Sequence, residues 1–234
     1  MNGKTVAVVG VTGAVGREMV ATLERRDFPI AGLRLMASER SAGTVVETAW
    51  GSVEIEELGT ADPSGVDIAL FSAGGAISRD FTPRFVEQGA VVVDNSSVWR
   101  MDPHVPLVVV GVNDDAAHRH RGIVANPNCT VMVLMMAVAP LHGAAWLRAM
   151  SAASYQSVSG SGQKGMTELS SQVGPLGADL EALQRGDWSD PGGEVYARPI
   201  GWNVVPLAGE LGEGGYTDEE WKLVNESRKI LEAP

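Results

Sequence analysis

The chain has 234 residues, enough for one large domain or two modest ones, with an ordinary globular composition of 44% hydrophobic and 20% charged residues. A net charge of -11 excludes a general nucleic-acid or membrane-surface binder, which needs basic patches, yet leaves room for a small anion held by a few placed Arg and Lys. The lone cysteine makes no internal disulfide, no signal-peptide pattern opens the chain, and the most apolar run, VMVLMMAVAPL, is too short to span a bilayer. A cytoplasmic protein is expected.

TVAVVG (5–10) is an apolar, β-branched run stopping at glycine, the pattern of a buried parallel strand. VGREMVATLERR follows with Val15, Met19, Val20 and Leu23 at helical spacing. LRLMAS (33–38) is expected to be the second strand, and VDIALFSAGG (66–75) another that ends in small residues. The helix SRDFTPRFVEQG leads into the strand AVVVDNSS (90–97), with further short strands expected in PLVVVGVN and GIVANPN. Alternating strands and helices predict an α/β fold with a doubly wound parallel sheet over residues 1–128.

After Cys129 the character changes. TVMVLMMAVAPLHGAA is expected to be a largely buried apolar helix, LRAMSAASYQSVSG the start of a new sheet, and SGSGQKG a loop. A weakly patterned stretch runs from 165 to 215. TDEEWKLVNESRKILEA (217–233) is a helix by its ends: Thr217 at the cap, Glu220 at the capping-box position, basic residues at the close. With two or three credible strands the second half makes a sheet too small to cover both its faces, so the chain is expected to lack a C-terminal part.

Three groups of residues carry chemistry. In GVTGAVG, Gly10, Gly13 and Gly16 stand between the first strand and the first helix, where a backbone turns tightly and free helix N–H groups meet a phosphate. At the end of the second strand, ASERSAG places Ser38, Arg40 and Ser41; an arginine fork and hydroxyls suit a 2′-phosphate, so NADP is favoured over NAD despite Glu39. Cys129 follows an Asn-Pro-Asn turn and precedes an apolar helix, whose N-terminal dipole favours a thiolate. Such a thiolate facing a nicotinamide would form a thiohemiacetal with an aldehyde, then a thioester that phosphate releases as an acyl phosphate. The bland alternatives are a tight turn, a solvated loop and a small buried thiol.

The segments GVTGAVG, ASERSAG, FSAGG, DNSSVWRMDPHVPLVVVGVN, NPNCT, YQSVSGSGQKG and the TDEEWK helix occur in order along the chain, which resembles the aspartate-semialdehyde dehydrogenase family. The resemblance implies NADP-dependent reductive dephosphorylation of L-aspartyl 4-phosphate to the semialdehyde, a step of lysine, threonine and methionine biosynthesis. It implies a Rossmann-like NADP-binding domain over 1–128 and a catalytic and dimerisation domain over 129–234, incomplete at its C-terminus. Cys129 would be the nucleophile. Thr12, Gly13, Ala14 and Val15 would contact the cofactor phosphates, Arg40 and Ser41 the 2′-phosphate, with Ser72, Gly74, Ser159 and Gly160 also lining the cofactor site. Arg100 and Lys222 would bind inorganic or acyl phosphate, and Gln156 and Glu219 the amino-acid part of the substrate. A homodimer or dimer of dimers is implied.

The chain departs from the family pattern at Val131, where threonine is common, and at Gly111, where glutamate is usual. The family's general acid/base histidine lies beyond the TDEEWK helix and is not matched by His104, His118, His120 or His142. Without it proton transfer loses a factor of about 10² to 10⁴, and activity of the chain is doubtful. An N-acetylglutamyl-phosphate reductase-like enzyme and a non-catalytic NADP-binding pseudoenzyme are the competing readings. Two histidines without further ligands, His118 and His120, make no metal site.

Overall fold

The computed structural model describes residues 3–233, apart from the side chain of Leu176. It falls into two compact units, one of Met1–Ala152 with Lys222–Pro234 and one of Ala153–Trp221. The expected boundary after residue 128 lies within the first unit.

In the first unit, strands β1 (Lys4–Val9), β2 (Ile30–Ala37), β3 (Val45–Thr48), β4 (Gly51–Glu57), β5 (Ile68–Phe71), β6 (Val91–Asp94) and β7 (Ile123–Ala125) form one sheet in the order β3-β4-β2-β1-β5-β6-β7. All pairings are parallel except the hairpin of β3 and β4. The doubly wound sheet expected from the alternation is present. The hairpin was not anticipated, although GSVEIEE carries the period-2 pattern of a strand.

β1 is central, and Val6 to Val9 are fully buried. Its side chains alternate between two cores. Ala7 and Val9 join Met36, Phe71, Phe85 and Val92 on one face; Val8 joins Val20, Leu35 and Ile55 on the other. Helix α1 (Ala14–Arg25) covers the second face with Met19, Val20 and Leu23, while Val15, at its first turn, is 45% exposed. Helix α2 (Gly75–Glu87) covers the first, where Phe85 meets Phe71 edge-to-face at 5.1 Å. The chain enters β2 on one side of β1 and β5 on the other, so the sheet's topological switch point lies beside the C-terminal end of β1.

PLVVVGVN contributes a single parallel bridge, Leu107 to Ala125, rather than a strand. Helix α3 (Cys129–Ala145) runs through Pro140 and buries one face only: Val131, Met135 and Val138 pack with Leu107, Val109 and Ile230, whereas Val133, Met136 and Leu141 are exposed. The expectation of a largely buried helix fails because the described chain provides apolar partners along one stripe. LRAMSAASYQSVSG forms no strand, and its end lies in a 3-10 turn, Val158–Ser161.

The second unit holds α4 (Gly162–Gly177) and α5 (Leu180–Arg185), which occupy part of the stretch that had looked unpatterned. Two side chains of α4 organise the following loop. Glu168 accepts from the backbone N–H groups of Glu194 (3.1 Å) and Val195 (2.6 Å). Gln172, buried, accepts from Ile200 (2.8 Å) and Gly201 (2.9 Å) and donates to the Gly192 carbonyl (2.9 Å). Helix α6 (Asp218–Leu231) begins in this unit with the predicted capping box: the Glu220 carboxylate accepts from the Thr217 N–H at 2.6 Å, and the Thr217 hydroxyl accepts from the Glu220 N–H at 3.2 Å. The rest of α6 belongs to the first unit.

Candidate functional site

The loop after β1 meets the loop after β5 at the switch point. Gly10 has φ +87°, and a Cβ there would run into the Ser72 carbonyl oxygen; a Cβ on Gly16 would run into that of Gly10. Both glycines are therefore required for close packing of loop and helix. Gly13 is different. It has ordinary φ, and the nearest atom to a Cβ on it is the Gly10 oxygen at 3.3 Å. It is the N-cap of α1, no side chain caps that end, and no acidic residue occupies the first turn. Thr12, Gly13 and Val15 are exposed and Ala14 is half-buried, so the helix's free N–H groups open toward solvent. Ser72 is half-buried beside them, and Gly74 is the N-cap of α2 with φ +89°. The chemistry of this mouth suits a pyrophosphate.

Arg40 and Ser41 stand in a short 3-10 turn, Glu39–Ser41, directly after β2, and Ser38 is its N-cap. Ser38 and Arg40 are exposed, and among the described residues Arg40 makes no ion pair. A guanidinium at the end of β2, one strand from the glycine loop, fits a 2′-phosphate.

Cys129, exposed, is the first residue of α3. The N-cap Asn128 accepts from the Thr130 N–H at 3.0 Å through its side chain. Arg100 is buried and fixed on three sides: Nε donates to the Asn126 carbonyl (3.0 Å), Nη2 to the Asn95 carbonyl (2.9 Å), and Nη1 to Glu226 Oε1 (3.0 Å). Three of the five N–H donors of a guanidinium are thus used among the described residues, and two remain, one on each Nη. The second oxygen of Glu226 accepts from the Asn128 N–H at 2.7 Å. The arginine and the turn that bears the thiol therefore share one carboxylate.

Lys229 holds α6 against this region. Its Nζ donates to the carbonyls of Arg100 (2.7 Å), Asp102 (2.6 Å) and Val105 (2.8 Å). Burial lowers its pKa, opposed by the charge of Asp102. Lys222 lies earlier on the same helix, three residues after Glu219.

In the second unit, Ser159 belongs to a 3-10 turn, Val158–Ser161, and its N–H donates to the Ser157 hydroxyl at 3.3 Å. A Cβ on Gly160 would run into the Gln156 side chain, so the bare α-carbon seats that glutamine. Of the histidines, His120 Nδ1 accepts from the Gly122 N–H (3.0 Å), and His142 is buried with its ring 4.6 Å from that of Trp146. Among the described residues no group of three or more His, Cys, Asp or Glu is placed to hold a metal, and no helix is long and apolar enough to cross a membrane.

Residues 5–120 match the sequence profile of the semialdehyde dehydrogenase NAD-binding domain, and residues 138–234 that of the semialdehyde dehydrogenase dimerisation domain. The chain is 51% identical to aspartate-semialdehyde dehydrogenase of Streptomyces akiyoshiensis, over 98% of this chain and 68% of that protein. It belongs to the aspartate-semialdehyde dehydrogenase family. The Corynebacterium glutamicum enzyme is 47% identical over 98% of this chain and 69% of its own. Among solved structures, aspartate semialdehyde dehydrogenase II of Vibrio cholerae, complexed with ASA, superposes with a TM-score of 0.91 and 37% identity, covering 100% of this chain and 68% of that one. This family member thus carries the nicotinamide-binding fold of an oxidoreductase followed by a dimerisation domain.

Glu226 is the site residue that sequence reasoning missed. In NESRK it looks like one more solvated charge on a helix; the signal was its position, three residues before Lys229 and four before the apolar Ile230, on the face that turns inward.

Proposed function

We propose that the protein reduces L-aspartyl 4-phosphate to L-aspartate 4-semialdehyde, with release of inorganic phosphate, through a thioester on Cys129 and with NADP as cofactor. The observation that carries this reading is an exposed thiol at the N-terminus of α3, on a turn anchored to the carboxylate that also fixes Arg100. The Cys129 sulfur attacks the acyl carbon; the C–S bond forms as the acyl–oxygen bond breaks, and phosphate leaves with the electron pair. Backbone N–H groups at the helix start and the two remaining donors of Arg100 favour the departing anion. Lys222 adds a point charge for that phosphate, and Gln156 and Glu219 hold the amino-acid part, roles supported by the family resemblance. When bound, NADPH supplies the hydride that releases the aldehyde and frees the thiolate. The glycine loop and Gly74 take the pyrophosphate, and Arg40 with Ser38 and Ser41 takes the 2′-phosphate. A homodimer fits the dimerisation-domain match, and a cytoplasmic place in amino-acid biosynthesis follows from the proposed reaction.

The test is phosphate-dependent formation of NADPH from aspartate semialdehyde, with Cys129→Ala as comparison. Turnover that needs phosphate and disappears in the variant is expected. Turnover that survives Cys129→Ala overturns the thioester, and turnover without phosphate overturns the acyl-phosphate chemistry.

A further inference from the structure

Glu226 is 2% exposed, and both its oxygens are engaged, one by the Arg100 guanidinium and one by the Asn128 backbone N–H. A buried ion pair is a weak device for stability, because apolar residues of the same volume serve as well. Here it spans two loops of unlike origin: the segment after β6, which bears Arg100, and the Asn-Pro-Asn turn after β7, which bears Cys129. Asn126 and Asn95 reinforce the junction, Nδ2 of one donating to Oδ1 of the other at 2.7 Å. The carboxylate rides on a rigid support, since Lys229 clamps three carbonyls of residues 100–105 and Ile230 packs with Val131 and Met135.

We infer that Glu226 is a positioning residue for the Cys129 chemistry. Through the Asn128 N–H it sets the direction of the turn that aims the thiol, and through Arg100 it sets the direction of the two remaining guanidinium donors. It also balances the arginine charge beside the thiol, so that the empty site does not hold anions indiscriminately. This inference rests on Cys129 being the nucleophile. A glutamine at 226 has one acceptor for the two donors, and its NH₂ then faces either the guanidinium or the Asn128 N–H.

The experiment is alkylation of the intact chain by iodoacetamide at pH 7, with thermal melting as the fold control. Cys129 is the sole cysteine, so every label reports on it. The folded wild type is expected to react faster than the same chain in urea; equal rates would overturn the nucleophile reading itself, whatever Glu226 does. In Glu226→Gln the nearby negative charge is gone, and alkylation is expected to rise about 3- to 10-fold. NADPH formation falls about tenfold or more, with the KM for NADP unchanged. A merely structural carboxylate moves the two rates in the same direction, because loosening the helix start removes the dipole's help. Glu226→Asp is the second variant, for the case in which Glu226→Gln does not fold. It keeps the charge but reaches only one of the two donors, so alkylation stays within about twofold of wild type while turnover drops. Wild-type alkylation in Glu226→Gln, or wild-type turnover in Glu226→Asp, overturns the inference. The alkylation comparison decides by itself if the wild type shows no turnover.

Discussion

Replacing Gly13 by alanine separates the phosphate-binding role of the glycine loop from its folding role. At Gly10 and Gly16 a Cβ collides with backbone, and any loss of cofactor binding there is entangled with misfolding. Gly13 has φ -74° and ψ 162°, an extended conformation open to any L-residue. A Cβ there would stand 3.3 Å from the Gly10 carbonyl oxygen, which must give by a few tenths of an ångström. Two terms of stability then oppose each other. Reduced freedom of the unfolded chain contributes about 0.4–1 kcal/mol in favour of alanine. Alanine is the poorer N-cap by up to about 1 kcal/mol, since glycine leaves the helix N–H groups better solvated. These two terms sum to within about 1 kcal/mol of zero, a melting shift of no more than about 4 °C for a unit of this size, and the close Gly10 oxygen adds to the destabilising side. The added methyl nevertheless stands where a pyrophosphate approaches the N-terminus of α1, so NADPH affinity is expected to fall about 10- to 100-fold. Fluorescence titration with NADPH, paired with thermal melting, reads both quantities. Unchanged affinity in a chain that melts normally would refute the phosphate site.

Arg40→Ala is expected to weaken NADPH about 10- to 100-fold and leave NADH unaffected, as titration of both cofactors shows; equal loss of both would remove Arg40 from the 2′-phosphate. Gln172→Ala strips acceptors from the Ile200 and Gly201 N–H groups and should destabilise the second unit by about 2–4 kcal/mol, seen as faster hydrogen exchange at those two amides. Asp67 has its pKa lowered by the Thr5 N–H first and by Lys4 second. A lowered carboxylate stabilises the fold above its unfolded pKa near 3.8, and that contribution disappears as pH falls through the folded value. Asp67→Asn should therefore flatten the loss of stability below about pH 4, measured by urea unfolding across pH.

Much of this architecture was legible in order. Strands such as TVAVVG carry their burial in composition, and the Thr217–Glu220 box is written in four residues, so both emerge from local chemistry alone. The hairpin of β3 and β4 was missed although Val53 and Ile55 alternate with Glu54 and Glu56, because its strands lack the continuous apolar run that marks the buried parallel strands. The 147–160 segment shows the opposite error: LRAMSAASYQSVSG was expected to start a sheet and forms no strand. At the site, Cys129 and the glycines announce themselves by residue type. Glu226 does not, because its meaning comes from 126 residues of separation from Arg100, a distance that no local pattern bridges.

The central claim is a covalent bond between substrate and Cys129, and mass spectrometry of the trapped chain tests it most directly. Incubation with aspartate semialdehyde and NADP in the absence of phosphate should leave an aspartyl acyl group on the peptide containing Cys129, and added phosphate should remove it. A label that persists in Cys129→Ala, that sits on another residue, or that never forms while NADPH accumulates would contradict the account.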